Sequence, residues 1–423
     1  RRQRQMCIRD SIGVVKDIRM RELSLYLHIP FCARKCRYCD FLSWPAAERE
    51  QREYLELLLL EIEKQSFFYK DYDVASVFVG GGTPSLLAAD AINILFEKLN
   101  HDFEIKKDCE ITVEANPDSL TTEKLTAFSR AGVNRLSIGL QSTDDEELRR
   151  IGRLHDYQTF CRAYENARQT GFQNINIDLM ASLPGQTFDS YRKTLERVLQ
   201  LRPEHISAYS LMLEEGTWLY EHRKELLFPT EDEDRAFYEL TGKMLAEYNY
   251  NRYEISNYAL DGYACRHNQV YWTRGDYAGF GLGAASMVDN VRWSNPRSIP
   301  EYRDALLRPY SASTDFEPAE RTGAGLAAAK TDLTAARARL SGNVQYLSVQ
   351  EQMEEFMFLG LRLTKGVSKQ DFREIFGLPI EEVYGKAIEA LRRDGLLLAD
   401  DFVRLTPFGT DISNYVMEKF LFG

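Results

Sequence analysis

The sequence predicts an α/β protein built on a parallel sheet and followed by a smaller, mostly helical C-terminal unit. Three observations predict it. Short β-rich runs alternate with helical stretches six times between residues 23 and 211, the pattern of a parallel sheet with crossover helices. The residues able to do chemistry fall one group after another just past the ends of those runs, where parallel α/β folds carry their sites. Beyond residue 230 the alternation stops and helical patterning takes over. Six β/α units suit either a doubly wound sheet or an incomplete (β/α) barrel.

In order, residues 23–29 (LSLYLHI) read as the first strand and 49–68 as a helix. A second strand, 74–79, runs into Gly80-Gly81-Gly82-Thr83-Pro84, and 88–100 is helical. The third strand, 110–115 (EITVEA), precedes a helix over 121–131 that Thr121 caps, with Lys124 rather than a glutamate three residues on. Strands at 134–139, 174–180 and 205–211 alternate with helices at 157–170 and 188–199. Residues 231–248 form a helix with an acidic start, 249–289 are rich in aromatics and glycine, and 311–342 are polar, then alanine-rich. Residues 348–422 carry a helix–helix–helix pattern, and 395–406 (GLLLADDFVRLT) resemble the hairpin of a winged-helix-like unit. The expected division is a leader over 1–20, of which 1–11 read as foreign, a β/α domain over 21–230, an extension over 231–310, an insertion or linker over 311–345, and a helical C-terminal domain over 346–423.

A net charge of −11 in 423 residues argues against a nucleic-acid backbone as the main partner. The most apolar run, near residue 55, is broken by Glu56 and Glu61, well short of the roughly 18 residues a membrane span needs. Neither nucleic acid nor stable membrane insertion is expected, and the protein is expected to be cytoplasmic. Its 7 cysteines then read as thiols or metal ligands rather than disulfides.

Three of those cysteines, Cys32, Cys36 and Cys39, lie within eight residues at the end of the first strand, spaced C-x3-C-x2-C. Thiolates are the preferred ligands of iron–sulfur clusters, and three of them leave one iron of a [4Fe–4S] cube open, as catalytic metal sites generally are. The bland alternative is a structural zinc with His28 or Cys109 as fourth ligand, at a spacing unusual for zinc knuckles. The glycine triplet allows close ligand approach or is merely a tight turn. Glu114 can pair with an ammonium group; Gln141 ends the fourth strand, Arg153 lies in the loop behind it and Asp178 ends the fifth. Singly each reads as a cap or surface residue; together they read as one ligand-binding rim.

The cysteine motif resembles the radical SAM superfamily, in which the open iron binds the amino and carboxylate groups of S-adenosylmethionine and an electron from the cluster cleaves the sulfonium. The resemblance implies an incomplete (β/α)6 TIM-like barrel. It extends over nearly the whole chain to the oxygen-independent coproporphyrinogen III oxidase group, through Tyr26-x-His28-Ile29-Pro30-Phe31-Cys32, Gly80–Pro84, Glu114-x-Asn116-Pro117, Gly139-x-Gln141-Ser142 and Asp178-Leu179-Met180-x-x-Leu183-Pro184-Gly185-Gln186-Thr187. It implies that Tyr26, Gly81, Gly82, Thr83, Glu114, Gln141, Arg153 and Asp178 line S-adenosylmethionine sites. The group has two branches. The HemN-like oxidases carry a fourth cysteine two residues after the third, where this chain has Phe41, and a long N-terminal arm, where about twenty residues precede the first strand here. The HemW-like branch, regarded as heme chaperones, ends its motif in Cys-Asp-Phe, as at Cys39-Asp40-Phe41, and carries a His-Asn-x-x-Tyr-Trp motif, here His267, Asn268, Tyr271 and Trp272.

That branch implies heme as a further cofactor. His267 is the expected iron ligand, since imidazole commonly holds heme iron, and Tyr271 and Trp272 are expected to offer flat apolar surface. A capped turn packed on a core is the plain alternative for this motif. Cys265 reads as a structural thiol or an extra ligand. The expected function is a heme chaperone; the alternatives are oxidative decarboxylation of coproporphyrinogen III to protoporphyrinogen IX, or another radical SAM reaction on a porphyrin. Expected partners are heme or porphyrin, heme-accepting apoproteins and a second copy of the chain in a homodimer.

Overall fold

A computed structural model describes residues 21–308 and 343–422. The expectations for 1–20 and for nearly all of 311–345 lie outside the described residues.

Six parallel strands carry the molecule: β1 (Arg21–Ile29), β2 (Tyr72–Gly81), β3 (Glu104–Ala115), β4 (Arg135–Gln141), β5 (Ile175–Ala181) and β6 (His205–Ser210). They stand side by side in sequence order, all parallel. A doubly wound sheet reverses its order at a switch point; this one does not, so the barrel reading holds. The crossovers are α1 (Glu48–Ser66), α2 (Ala89–Asp102), α3 (Thr122–Arg130), α4 (Asp145–Arg150), α5 (Tyr157–Thr170) and α6 (Phe188–Leu201), with the short α7 (Trp218–Glu221) and α8 (Glu231–Glu247) after β6. Side-chain caps start most of them. Thr121 accepts from the Lys124 amide, Asp156 from that of Thr159, and Thr187 and Ser190 form a reciprocal box.

The aromatic, glycine-rich stretch after α8 extends the barrel sheet at both edges. The strands β7 (Asn251–Arg252) and β8 (Asn257–Ala259) add to β6 antiparallel. After α9 (Arg266–Trp272), β9 (Tyr277–Phe280) returns across the molecule to lie parallel to β1. The strands β10 (Ala285–Val288) and β11 (Val291–Ser294) follow; α10 (Ile299–Leu307) precedes β12 (Val344–Tyr346), which completes a 12-stranded sheet. These strands are two to four residues long, too short for a period-two signal. The third strand also begins six residues earlier than its apolar pattern, because its first half is charged and irregular, with a register shift between Val74 and Ser76 of its neighbour.

The C-terminal unit packs α11 (Val349–Gly360), α12 (Lys369–Phe376) and α13 (Ile380–Arg393) around Met357, Phe372 and Ile388. Its three-stranded sheet orders β13 (Val367–Ser368), β15 (Phe402–Leu405) and β14 (Leu397–Ala399), the wing expected from the sequence, and α14 (Pro407–Asp411) and α15 (Ser413–Glu418) close it. Charged contacts join it to the barrel. Glu355 of α11 accepts from Arg274 at 3.2 Å and Arg292 at 2.8 Å, and the Arg362 guanidinium lies 4.4 Å from the centre of the Trp272 ring.

Within the barrel strands the alternation runs against the usual order. Leu136, Ile138 and Leu140 of β4 pack on the helices, in the same core as Phe128 and Phe160. Their neighbours Arg135, Ser137, Gly139 and Gln141 face the barrel interior, since successive strand residues point to opposite sides. The inside of the barrel is therefore polar, and the two cavities described next lie along it.

Candidate cofactor site

An outer cavity of about 410 Å³ opens at the C-terminal ends of the strands. All three cysteines of the triad line it, together with Gly81, Gly82, Thr83, Glu114, Gln141, Arg153 and Asp178. Of the residues assigned to S-adenosylmethionine by resemblance, only Tyr26 lies outside this wall; it faces a second, inner chamber of about 190 Å³.

The cysteine loop is held from several sides. The amides of Gly82 and Thr83 donate to the carbonyls of Ile29 and Phe31 at 2.8 and 2.7 Å. A Cβ on Gly82 would stand 2.5 Å from the Phe31 carbonyl oxygen, so only glycine lets the two loops meet. Arg34 donates to the Gly152 carbonyl at 2.8 Å, the Arg37 amide to that of Ile151 at 3.0 Å, and the Leu219 amide to that of Arg37 at 2.9 Å. His28 donates from Nε2 to the Leu42 carbonyl at 2.9 Å, which leaves Nδ1 to accept from the Tyr26 hydroxyl at 3.0 Å. Burial pushes the Tyr26 phenol up and the His28 imidazole down, so both stay neutral.

The three thiols are free and half-buried. The Thr83 hydroxyl donates toward Cys32 Sγ at 3.5 Å, and Arg153 Nη1 toward Cys36 Sγ at 3.7 Å. Among the described residues no three His, Cys, Asp or Glu side chains gather round one ion position; in an iron–sulfur cube each thiolate instead takes its own iron. The donor set, the cavity beside it and the cationic neighbour of Cys36 fit such a cluster.

Glu114 accepts from the Gly81 amide at 3.0 Å, and burial and then the Asp178 charge push its carboxyl up to about 7. Asp178 accepts from Ser137 at 3.1 Å and Asn176 at 2.8 Å, and burial raises it too. Gln141 has φ of 71° beside a register shift in β4, strain of the kind that collects at ligand sites. Arg153 Nη2 donates to Asn116 Oδ1 and the Gly139 carbonyl, each at 2.6 Å. A Cβ on Gly139 would meet that nitrogen at 3.0 Å.

The His267 motif lies elsewhere. Helix α9 sits at the inner end of the barrel, and His267, Asn268 and Tyr271 line the inner chamber rather than the outer cavity. His267 is 1% exposed and stacks on Phe78 at 5.1 Å. Its Nδ1 bonds the Ser76 hydroxyl and its Nε2 that of Tyr271, both at 2.9 Å. Burial and then the Arg135 charge bring its pKa down to about 3. Both ring nitrogens are engaged, so the imidazole is not offered to a metal in this conformation. Trp272 lines neither cavity, and Arg362 covers its ring. Cys265 is a buried thiol that donates to Glu110 Oε1 at 3.4 Å.

Sequence reasoning missed several lining residues. Arg135, Asn176 and Ser207 build the inner chamber, and Met212 lines the outer cavity while 72% exposed; Phe41, singled out in the sequence only as the place of the oxidases' further cysteine, lines it too, 63% exposed. A signal existed for the first group: polar residues at alternate positions of apolar strands.

A sequence model of the Radical SAM superfamily matches residues 26–198, and a HemN C-terminal domain model matches 347–411. Barrel, cysteine triad and glycine turn together define a radical SAM protein. The solved structure of coproporphyrinogen III oxidase (HemN) from Escherichia coli, described as a radical SAM enzyme, shares the fold, with a TM-score of 0.77 over 95% of this chain and 91% of that one at 22% identity. Sequence likeness is greater to the heme chaperone HemW of Bacillus subtilis (strain 168), 34% identical over 94% of this chain and 99% of the relative. The heme chaperone HemW of Escherichia coli (strain K12) is 32% identical over 96% and 99%. This chain belongs to the heme chaperone HemW family.

Proposed function

We propose that this protein binds heme and hands it to apoproteins, as the name of its relatives states for them. The observation that carries this reading is the likeness to curated heme chaperones along almost the full length of both chains. The outer cavity agrees with it. Where the oxidase branch is expected to have a further cysteine, Phe41 presents an exposed ring, and Met212 faces the same cavity from the loop after β6. Together they supply apolar surface suited to a flat macrocycle.

Cys32, Cys36 and Cys39 are the residues that would hold a [4Fe–4S] cluster, and its open iron would bind the amino and carboxylate groups of S-adenosylmethionine. Such a cluster supplies one-electron reduction of the sulfonium. The chain's own part is to hold and orient. Glu114, which accepts from the Gly81 amide, would take the ammonium group. Arg153 keeps a positive charge beside Cys36. Gln141 and Asp178 close the far rim. Oxidation of coproporphyrinogen is the less supported alternative, and a homodimer is a further proposal.

The test is transfer. Cluster-reconstituted, heme-loaded protein is mixed with an apo-hemoprotein and separated from it. Heme spectra appearing in the acceptor faster than with free heme support the reading; heme that stays bound, or moves no faster than free heme, contradicts it.

A further inference from the structure

The inner chamber contains an arginine that the protein itself does not satisfy. Arg135 opens β4 and is 2% exposed. Its Nε is buried without a hydrogen-bond partner, and no ion pair engages its guanidinium among the described residues. Cys265, Glu110, Tyr253 and Asp178 act on it only through their charge or polarity. Glu110 is already occupied, accepting from the amides of Arg266 and His267 at 3.0 Å and from Cys265. Asp178 is occupied by Ser137 and Asn176. A guanidinium carries five donors in a planar fork that matches a carboxylate, and a buried one left without acceptors is costly.

We propose that this chamber is a carboxylate subsite, in which Arg135 receives a propionate-type arm of a tetrapyrrole whose ring stays on the outer-cavity side. The proposal rests on the heme-carrier reading. Size supports it: about 190 Å³ admits a short acidic arm but no macrocycle, whereas pockets for whole ligands run from about 300 Å³ upward. Continuity supports it as well, because Glu114, Ser137, Asp178 and Tyr209 line both the chamber and the outer cavity. With no ammonium group bound there, Glu114, pushed up to about 7, can carry a proton when the arm enters. His267 and Tyr271, hydrogen-bonded to each other, are then walls of the subsite rather than iron ligands.

The experiment titrates the full, cluster-reconstituted chain anaerobically with heme and with heme dimethyl ester, following the Soret band. The wild type should bind the ester at least about tenfold more weakly than the free acid, a comparison that needs no variant. Arg135→Met should bind both forms alike, at the weaker level, and Arg135→Lys should keep part of the discrimination. Equal affinity of the wild type for both forms, or discrimination that survives in Arg135→Met, overturns the proposal. Loss of S-adenosylmethionine binding in Arg135→Met with heme discrimination intact assigns the guanidinium to the cofactor's carboxylate instead, and also overturns it. A wild type that binds neither form overturns the carrier reading itself.

Discussion

Cys36 and His267 show how differently two conspicuous residues behave once placed. Cys36 faces the outer cavity with a guanidinium at 3.7 Å. Cys36→Ala should abolish the visible absorbance of the reconstituted cluster, and a variant that keeps it contradicts the ligand assignment. His267 is enclosed. His267→Ala removes a stacked ring and leaves the Ser76 and Tyr271 hydroxyls without that partner, which should cost about 2–4 kcal/mol in denaturant unfolding. The Soret maximum of bound heme should stay where it is; a shift would show that this imidazole reaches iron. Glu61 is a third residue with a measurable signature. It is fully buried and accepts from Tyr302 at 2.5 Å, Gly281 and Asn295 at 2.7 Å and Gln65 at 3.1 Å, and burial pushes it up to about 7. Between the unfolded carboxyl value and about 7 the folded state therefore holds more protons, so this group's contribution to stability falls as pH rises through that window. Glu61→Gln should lose about 2–3 kcal/mol less than the wild type between pH 4.5 and 7.5 in urea melts; an equal loss would contradict the assignment. Most chemistry-bearing residues of the outer cavity were readable from the sequence because they lie at or just past strand ends, as Gly81 and Gln141 do. Arg135 was not, because a charge at the start of an apolar run looks like a strand boundary until the barrel turns it inward.

At the scale of elements, the long crossovers were readable because each has a helical period and, in most cases, a cap. The additions at the sheet edges were not: β7 to β12 are two to four residues long, and their partners are distant in sequence. The irregular start of β3 hid its first six residues. The join between barrel and C-terminal unit was likewise invisible, since Glu355 reads as a helix-surface residue in isolation. In the structure its side chain is 8% exposed between Arg274, 5% exposed, and Arg292. Glu355→Ala leaves a buried guanidinium without its partner and should destabilise the molecule by about 3–5 kcal/mol. Calorimetry should show the loss; an unchanged unfolding midpoint would mean that the contact is dispensable to the join.

For the whole molecule, the fold alone does not separate the two branches of the family, because the oxidase shares it over 95% of the chain. Helices do not decide it either: among the described residues none is long and apolar enough to cross a membrane, which is true of many enzymes and carriers alike. What separates the readings is the likeness to curated heme chaperones along almost the full length of both chains. The barrel adds an exposed phenylalanine that faces the cysteine cavity and, behind it, a polar chamber with an unsatisfied arginine. The central claim is that an acidic tetrapyrrole is held and passed on rather than oxidised. The direct measurement gives cluster-reconstituted protein, under anaerobic reducing conditions with S-adenosylmethionine, either heme or coproporphyrinogen III. The account predicts saturable heme binding and no conversion of coproporphyrinogen III above a protein-free control; repeated turnover to protoporphyrinogen IX would contradict it.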